Sequence, residues 1–121
     1  MGENAPDPLA EAMNRLWEKH LRQMQERVAM LRRAAENLAK GTLSSAEQQQ
    51  AAAEAHKLAG VLGTFGLKEG TELAREAEAL YESSLDRTGA SRLTAIGDRL
   101  HAMMDSRISA QTPVSPKQLD S

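Results

Sequence analysis

Residues 17–38, WEKHLRQMQERVAMLRRAAENL, decide the fold. Trp17, Leu21, Met24, Val28, Leu31, Ala35 and Leu38 recur at alternating steps of four and three, the spacing of side chains one turn apart on an α-helix. The stretch therefore forms an amphipathic helix, and its single apolar stripe needs other elements to cover it. Leu9, Met13 and Leu16 carry the stripe backwards. The spacing predicts helix from Pro8 to Lys40, either unbroken or as a short helix leading into a longer one, with Gly41 placed to end it.

The rest of the chain repeats the pattern. Ser44 and Glu47 have capping-box spacing, so a second helix starts near Ser45 and carries Ala51, Ala55, Leu58, Leu62 and Phe65 inward. Gly63 and Gly66 stand where it should stop. Leu67, Leu73, Ala74, Ala77, Leu80 and Tyr81 give a third stripe, which breaks at 86–89. Leu93, Ile96, Leu100, Met103 or Met104, and Ile108 give a fourth. No segment alternates with the period of two that strands require, and the breaks are only a few residues long, so successive helices must run antiparallel. The expected architecture is an all-α, antiparallel up-and-down four-helix bundle with an N-terminal helical extension that could fold over one end. Residues 1–7 read as a flexible start, 8–108 as the bundle, and 109–121, with Pro113 and Pro116, as a flexible tail or linker.

Composition narrows the function. A chain of 121 residues with a formal net charge of −2 and one each of Trp, Tyr and Phe lacks both the basic footprint and the stacking platform of a nucleic-acid binder. The absence of cysteine excludes thiolate chemistry and Cys-bound zinc. With no signal-like start and no run of eighteen apolar residues, the reading is a cytoplasmic monomer outside the membrane. A di-iron bundle needs two Glu-x-x-His pairs, and only Asp98 with His101 approaches one, so no metal site is expected. Glycine-rich phosphate loops and hydrolase motifs are also missing.

The three histidines separate by their angle on the helices. His20 and His101 lie beside apolar stripes and read as core-edge residues. His56 points roughly 140° away from the buried direction of the second helix, toward solvent. One turn to either side stand Ala52, Ala53, Ala59 and Gly60, with Gly63 a turn further on. This is a bare ridge on which a second protein could approach the ring closely. Gly60 costs a helix about 0.8–1 kcal/mol relative to alanine, so stability does not explain it. Gly70 and Gly97 also fall within predicted helices, however, and a glycine-tolerant chain would account for all three.

The segment 55–67, AHKLAGVLGTFGL, resembles the signature of histidine phosphotransfer (HPt) domains, including those at the front of chemotaxis-type kinases. That family carries a phosphorylatable histidine on the second helix of a four-helix bundle. His56 matches it, followed by Leu58, Gly60, Gly63 and Gly66 at the family's positions. The resemblance implies a phosphocarrier without kinase activity of its own, which accepts a phosphoryl group on His56 and exchanges it with the aspartate of a response-regulator receiver domain or takes it from a histidine kinase. It implies no resident cofactor, with Mg²⁺ on the receiver. The sequence departs from the family at Ala59, where a lysine is common, and leaves Lys57 and Lys68 as the nearby cations that could support the phosphoryl group. The chemistry is reasonable for the residue, because an ordinary exposed imidazole is mostly neutral at pH 7 and nucleophilic. The alternative is a helical module that docks a receiver or a helical partner by the same ridge without being phosphorylated.

Overall fold

The computed structural model describes residues 7–111. They form α1 (Pro8–Ala39), α2 (Ser45–Thr64), α3 (Lys68–Tyr81) and α4 (Arg87–Gln111). Among the described residues there is no strand. The parts of the expected flexible ends at 1–6 and 112–121, and the side chain of Ile108, lie outside the described residues.

Local chemistry sets the helix ends. The Asp7 carboxylate accepts from Leu9 N–H at 3.0 Å and Pro8 occupies the first turn, where its missing N–H is no loss. α1 then runs unbroken, and its N-terminal turns continue the helix axis rather than folding over the bundle. Past its C-cap, Gly41 takes φ +75°, a conformation that a side chain would strain. The Ser44–Glu47 capping box forms with both bonds at 3.1 Å. Gly66 at φ +70° turns the chain between α2 and α3, where Leu67 N–H donates to Leu62 C=O at 3.0 Å. The link is tight enough to fix the α2/α3 register.

The helices pack as a closed ring in which α2 lies on α3, α1 on α4, α1 on α2 and α3 on α4. Trp17, Met24, Val28 and Leu31 from α1 meet Leu58, Leu62 and Phe65 from α2, Tyr81 from α3, and Leu93, Ile96, Leu100 and Met104 from α4. Trp17 and Phe65 make an edge-to-face pair with centroids 5.1 Å apart. Leu9 and Leu16 depart from the expected stripe, being 70% and 41% exposed. The α1/α2 pairings Trp17–Phe65 and Arg27–Glu54 put the end of α2 opposite about residue 18 of α1, so the first turns of α1 project past α2.

Two glycines inside helices have packing reasons. A Cβ on Gly97 would lie 2.8 Å from Arg32 Cγ, so its absence lets α1 and α4 approach. A Cβ on Gly70 would sit 3.1 Å from Leu62 Cδ1 and 3.3 Å from Met103 Cε. General tolerance of glycine therefore does not explain Gly60, around which a Cβ would meet nothing within 4 Å.

Candidate functional site

α2 is flanked by α1 on one side and α3 on the other, so its buried arc is wider than one stripe. That corrects the bare-ridge expectation in part. Ala52 and Ala59 are buried, at 8% and 4% exposure, because each turns toward a flanking helix. Ala53 and Gly60 remain exposed beside His56, and Gly63 is exposed further along the helix. Ala59 thus lies in the packed interior, not on the approach to the ring.

The His56 side chain is 73% exposed, and its Nδ1 lies 3.0 Å from Glu78 Oε2 on α3. Glu78 is itself only 23% exposed, so the carboxylate is held against the bundle while the ring projects outward. A carboxylate can only accept, which makes Nδ1 the protonated nitrogen and leaves the Nε2 lone pair free. Sequence reasoning missed Glu78. The signal lay in the α2/α3 register: Leu62 faces Gly70, Gly63 faces Thr71, and the same antiparallel step back along α2 brings His56 to Glu78.

Two hollows lie near the ring, which lines the first of them. One, of about 760 Å³ between α2 and α3, includes Gln48, Gln49, His56, Glu78 and Glu82 beside Ala52, Ala53 and Tyr81. Gln48 stiffens its floor by donating to the Tyr81 carbonyl at 2.7 Å. The other, of about 460 Å³ between α1 and α2, is lined by Leu16, His20, Arg27, Lys57, Gly60, Val61, Thr64 and Phe65. Lys57 is exposed and borders both. Arg27 is engaged by Glu54, which ties α1 to α2.

The other proposed supports are not brought together with His56. Lys68 is the first residue of α3 and lies ten residues, or about 15 Å at 1.5 Å per residue, along that helix from Glu78, the residue that meets His56. Gly63 lies two turns from the ring, beside Thr71. His20 is half-buried, as expected of a core-edge residue. His101 is not at a seam: its side chain is 51% exposed and its Nε2 lies 3.3 Å from Asp105 on the same helix. The nitrogen left to His101 is Nδ1, which is crowded by its own backbone, so the two exposed imidazoles present opposite ring atoms.

Among the described residues no group of three or more His, Cys, Asp or Glu side chains is arranged to hold a metal ion. No described helix is long and apolar enough to cross a membrane. One protein-family model, described as the Hpt domain, matches residues 15–110. Neither a curated protein nor a solved structure matches the chain.

Proposed function

The chain belongs to the Hpt domain family, whose members serve as phosphocarriers in phosphorelays, and from that premise we propose that His56 is the phosphoacceptor and exchanges its phosphoryl group with the aspartate of a receiver domain. The observation that carries the assignment is the exposed ring with Nδ1 held 3.0 Å from Glu78. The Nε2 lone pair attacks the phosphorus of the aspartyl phosphate. An N–P bond forms as the P–O bond to the aspartate breaks, and that electron pair leaves with the carboxylate. The ring keeps its Nδ1 proton and becomes positively charged, and Glu78 offsets that charge. Transfer onward reverses each step.

Phosphoryl transfer depends on alignment and charge neutralisation. Lys57 supplies a mobile positive charge beside the ring, and Gly60 leaves room one turn away for the receiver to close on it. The Mg²⁺ belongs to the receiver.

The test is His56→Gln, with incubation against phosphorylated receiver domains. The variant keeps the helical circular dichroism spectrum and takes up no phosphate, whereas the natural protein gains an acid-labile, alkali-stable phosphoramidate. Phosphorylation of a folded His56→Gln protein would overturn the assignment.

A further inference from the structure

The last carbonyls of a helix have no partner within it, and the first three helices satisfy theirs in two ways. α1 and α2 close on their own glycines. Past Gly41 the Thr42 N–H donates to Asn37 C=O at 2.8 Å, and past Gly66 the Leu67 N–H donates to Leu62 C=O at 3.0 Å. α3 ends differently. Its cap, Glu82, is followed by Ser83, and no described residue other than glycine takes a positive φ. Charge works against this end as well, because Glu78 and Glu82 set two carboxylates at the negative pole of the helix and no basic side chain lies in the last turn.

The missing donor comes from α2. Gln48, half-buried, lies 2.7 Å through Nε2 from the Tyr81 carbonyl and 3.3 Å from that of Ser83. Both partners are acceptors, so the amide NH₂ is the group that faces them. The Tyr81 ring, 2% exposed, anchors the end of α3 in the core, and the Gln48 bonds hold its backbone toward α2. Glu78 stands one turn before Tyr81 on the same face of α3, as His56 stands two turns beyond Gln48 on α2. All four line one hollow. The geometry points to Gln48 as a positioning residue for phosphoryl transfer: by closing the C-terminus of α3 from α2, it keeps Glu78 against Nδ1 of His56. The effect on transfer rests on the phosphocarrier reading, whereas the effect on the ring does not.

The experiment compares the full chain with Gln48→Ala, Glu78→Gln and the double variant. It reads ¹⁵N spectra of His56, single-turnover transfer at saturating phosphorylated receiver domain, and melting temperature. In Gln48→Ala the Nε2-protonated ring gains population and transfer slows by up to about fivefold, the limit set by losing the Glu78 charge. In the Glu78→Gln background Gln48→Ala changes neither, since a residue that acts through Glu78 has nothing left to hold. Gln48→Glu keeps the shape and, when ionised, has no N–H to donate, so it repeats the Gln48→Ala result even if alanine unsettles the fold. Gln50→Ala, at an exposed glutamine of the same helix, controls for helix propensity and leaves both readouts unchanged. An unchanged tautomer in a folded Gln48 variant overturns the positioning role. So does an equal further slowing in the Glu78→Gln background, which assigns Gln48 to receiver contact or to the fold alone. Failure of the natural protein to take phosphate at His56 overturns the phosphocarrier reading, and the spectra, which need no phosphate, still decide whether Gln48 holds the Glu78–His56 pair.

Discussion

Replacing Glu78 by Gln removes a charge and keeps the shape. The carboxylate Oε2 lies 3.0 Å from His56 Nδ1, with the ring 73% exposed and the carboxylate 23% exposed. Exposed ion pairs contribute about 0.2–1 kcal/mol, and a well-held, partly shielded carboxylate belongs in the upper half of that range. At about 0.5–1 kcal/mol, transfer to His56 slows about two- to fivefold, since the positive charge that develops on the ring loses its counter-charge. The phosphohistidine equilibrium shifts back toward the donor by a similar factor. Glutamine can also donate, so the ring no longer has a fixed tautomer, and ¹⁵N spectra of His56 should show the Nε2-protonated form gaining population. Single-turnover rapid-quench kinetics read the rate. Glu76→Gln is the control, since Glu76 lies on the same helix but binds Arg92 with its two oxygens at 2.5 and 2.7 Å. If Glu78→Gln transfers at the natural rate with an unchanged tautomer, Glu78 does not position the ring and the choice of Nε2 loses its basis.

Gly60→Gln should fold normally, since a Cβ there meets nothing within 4 Å, yet slow transfer sharply by obstructing the partner; Gly60→Ala should stabilise the monomer by about 0.8–1 kcal/mol in chemical denaturation. Lys57→Ala should lower the transfer rate a few-fold at low salt, an effect that fades as added salt screens the exposed ammonium. A silent Lys57→Ala at low salt would assign the compensating charge to the receiver. The guanidinium groups of Arg99 and Arg92 hold the Glu69 and Glu76 carboxyls below their ordinary value of 4.5. These groups bind protons more weakly folded than unfolded, so the stability they add is present above about pH 4.5 and is lost as pH falls through the lowered values. Melting temperatures of Glu69→Gln/Glu76→Gln against pH should show a shallower acid limb than those of the natural protein.

Periodicity and end signals were enough to place the first three helices. The break expected at 86–89 falls at 82–86, because the Asp86 carboxylate accepts from Gly89 N–H and starts α4 at Arg87. α4 then runs to Gln111, where a tail was expected from 109. The Ser44–Glu47 box, the glycines at 41 and 66, and the inward set Ala51, Ala55, Leu58, Leu62 and Phe65 all stand where their local chemistry requires. The outward direction of His56 followed from the same angles. These features were legible because each depends on residues within a few positions of one another along a single helix. What lay beyond reach depends on which helices meet and in what register. Ala52 and Ala59 looked exposed from the stripe alone and are buried because α2 has neighbours on both sides. Leu9 and Leu16 continue the stripe of α1 and are exposed because α2 has ended before it can cover them. Gly97 looked like a tolerated weakness and is the point where α1 and α4 come close. Glu78 carries no local mark at all, and only the antiparallel pairing of α2 with α3 brings it to His56. A helical sequence fixes the direction of each side chain about its own axis, while the surroundings it meets there are set by the packing of the other helices.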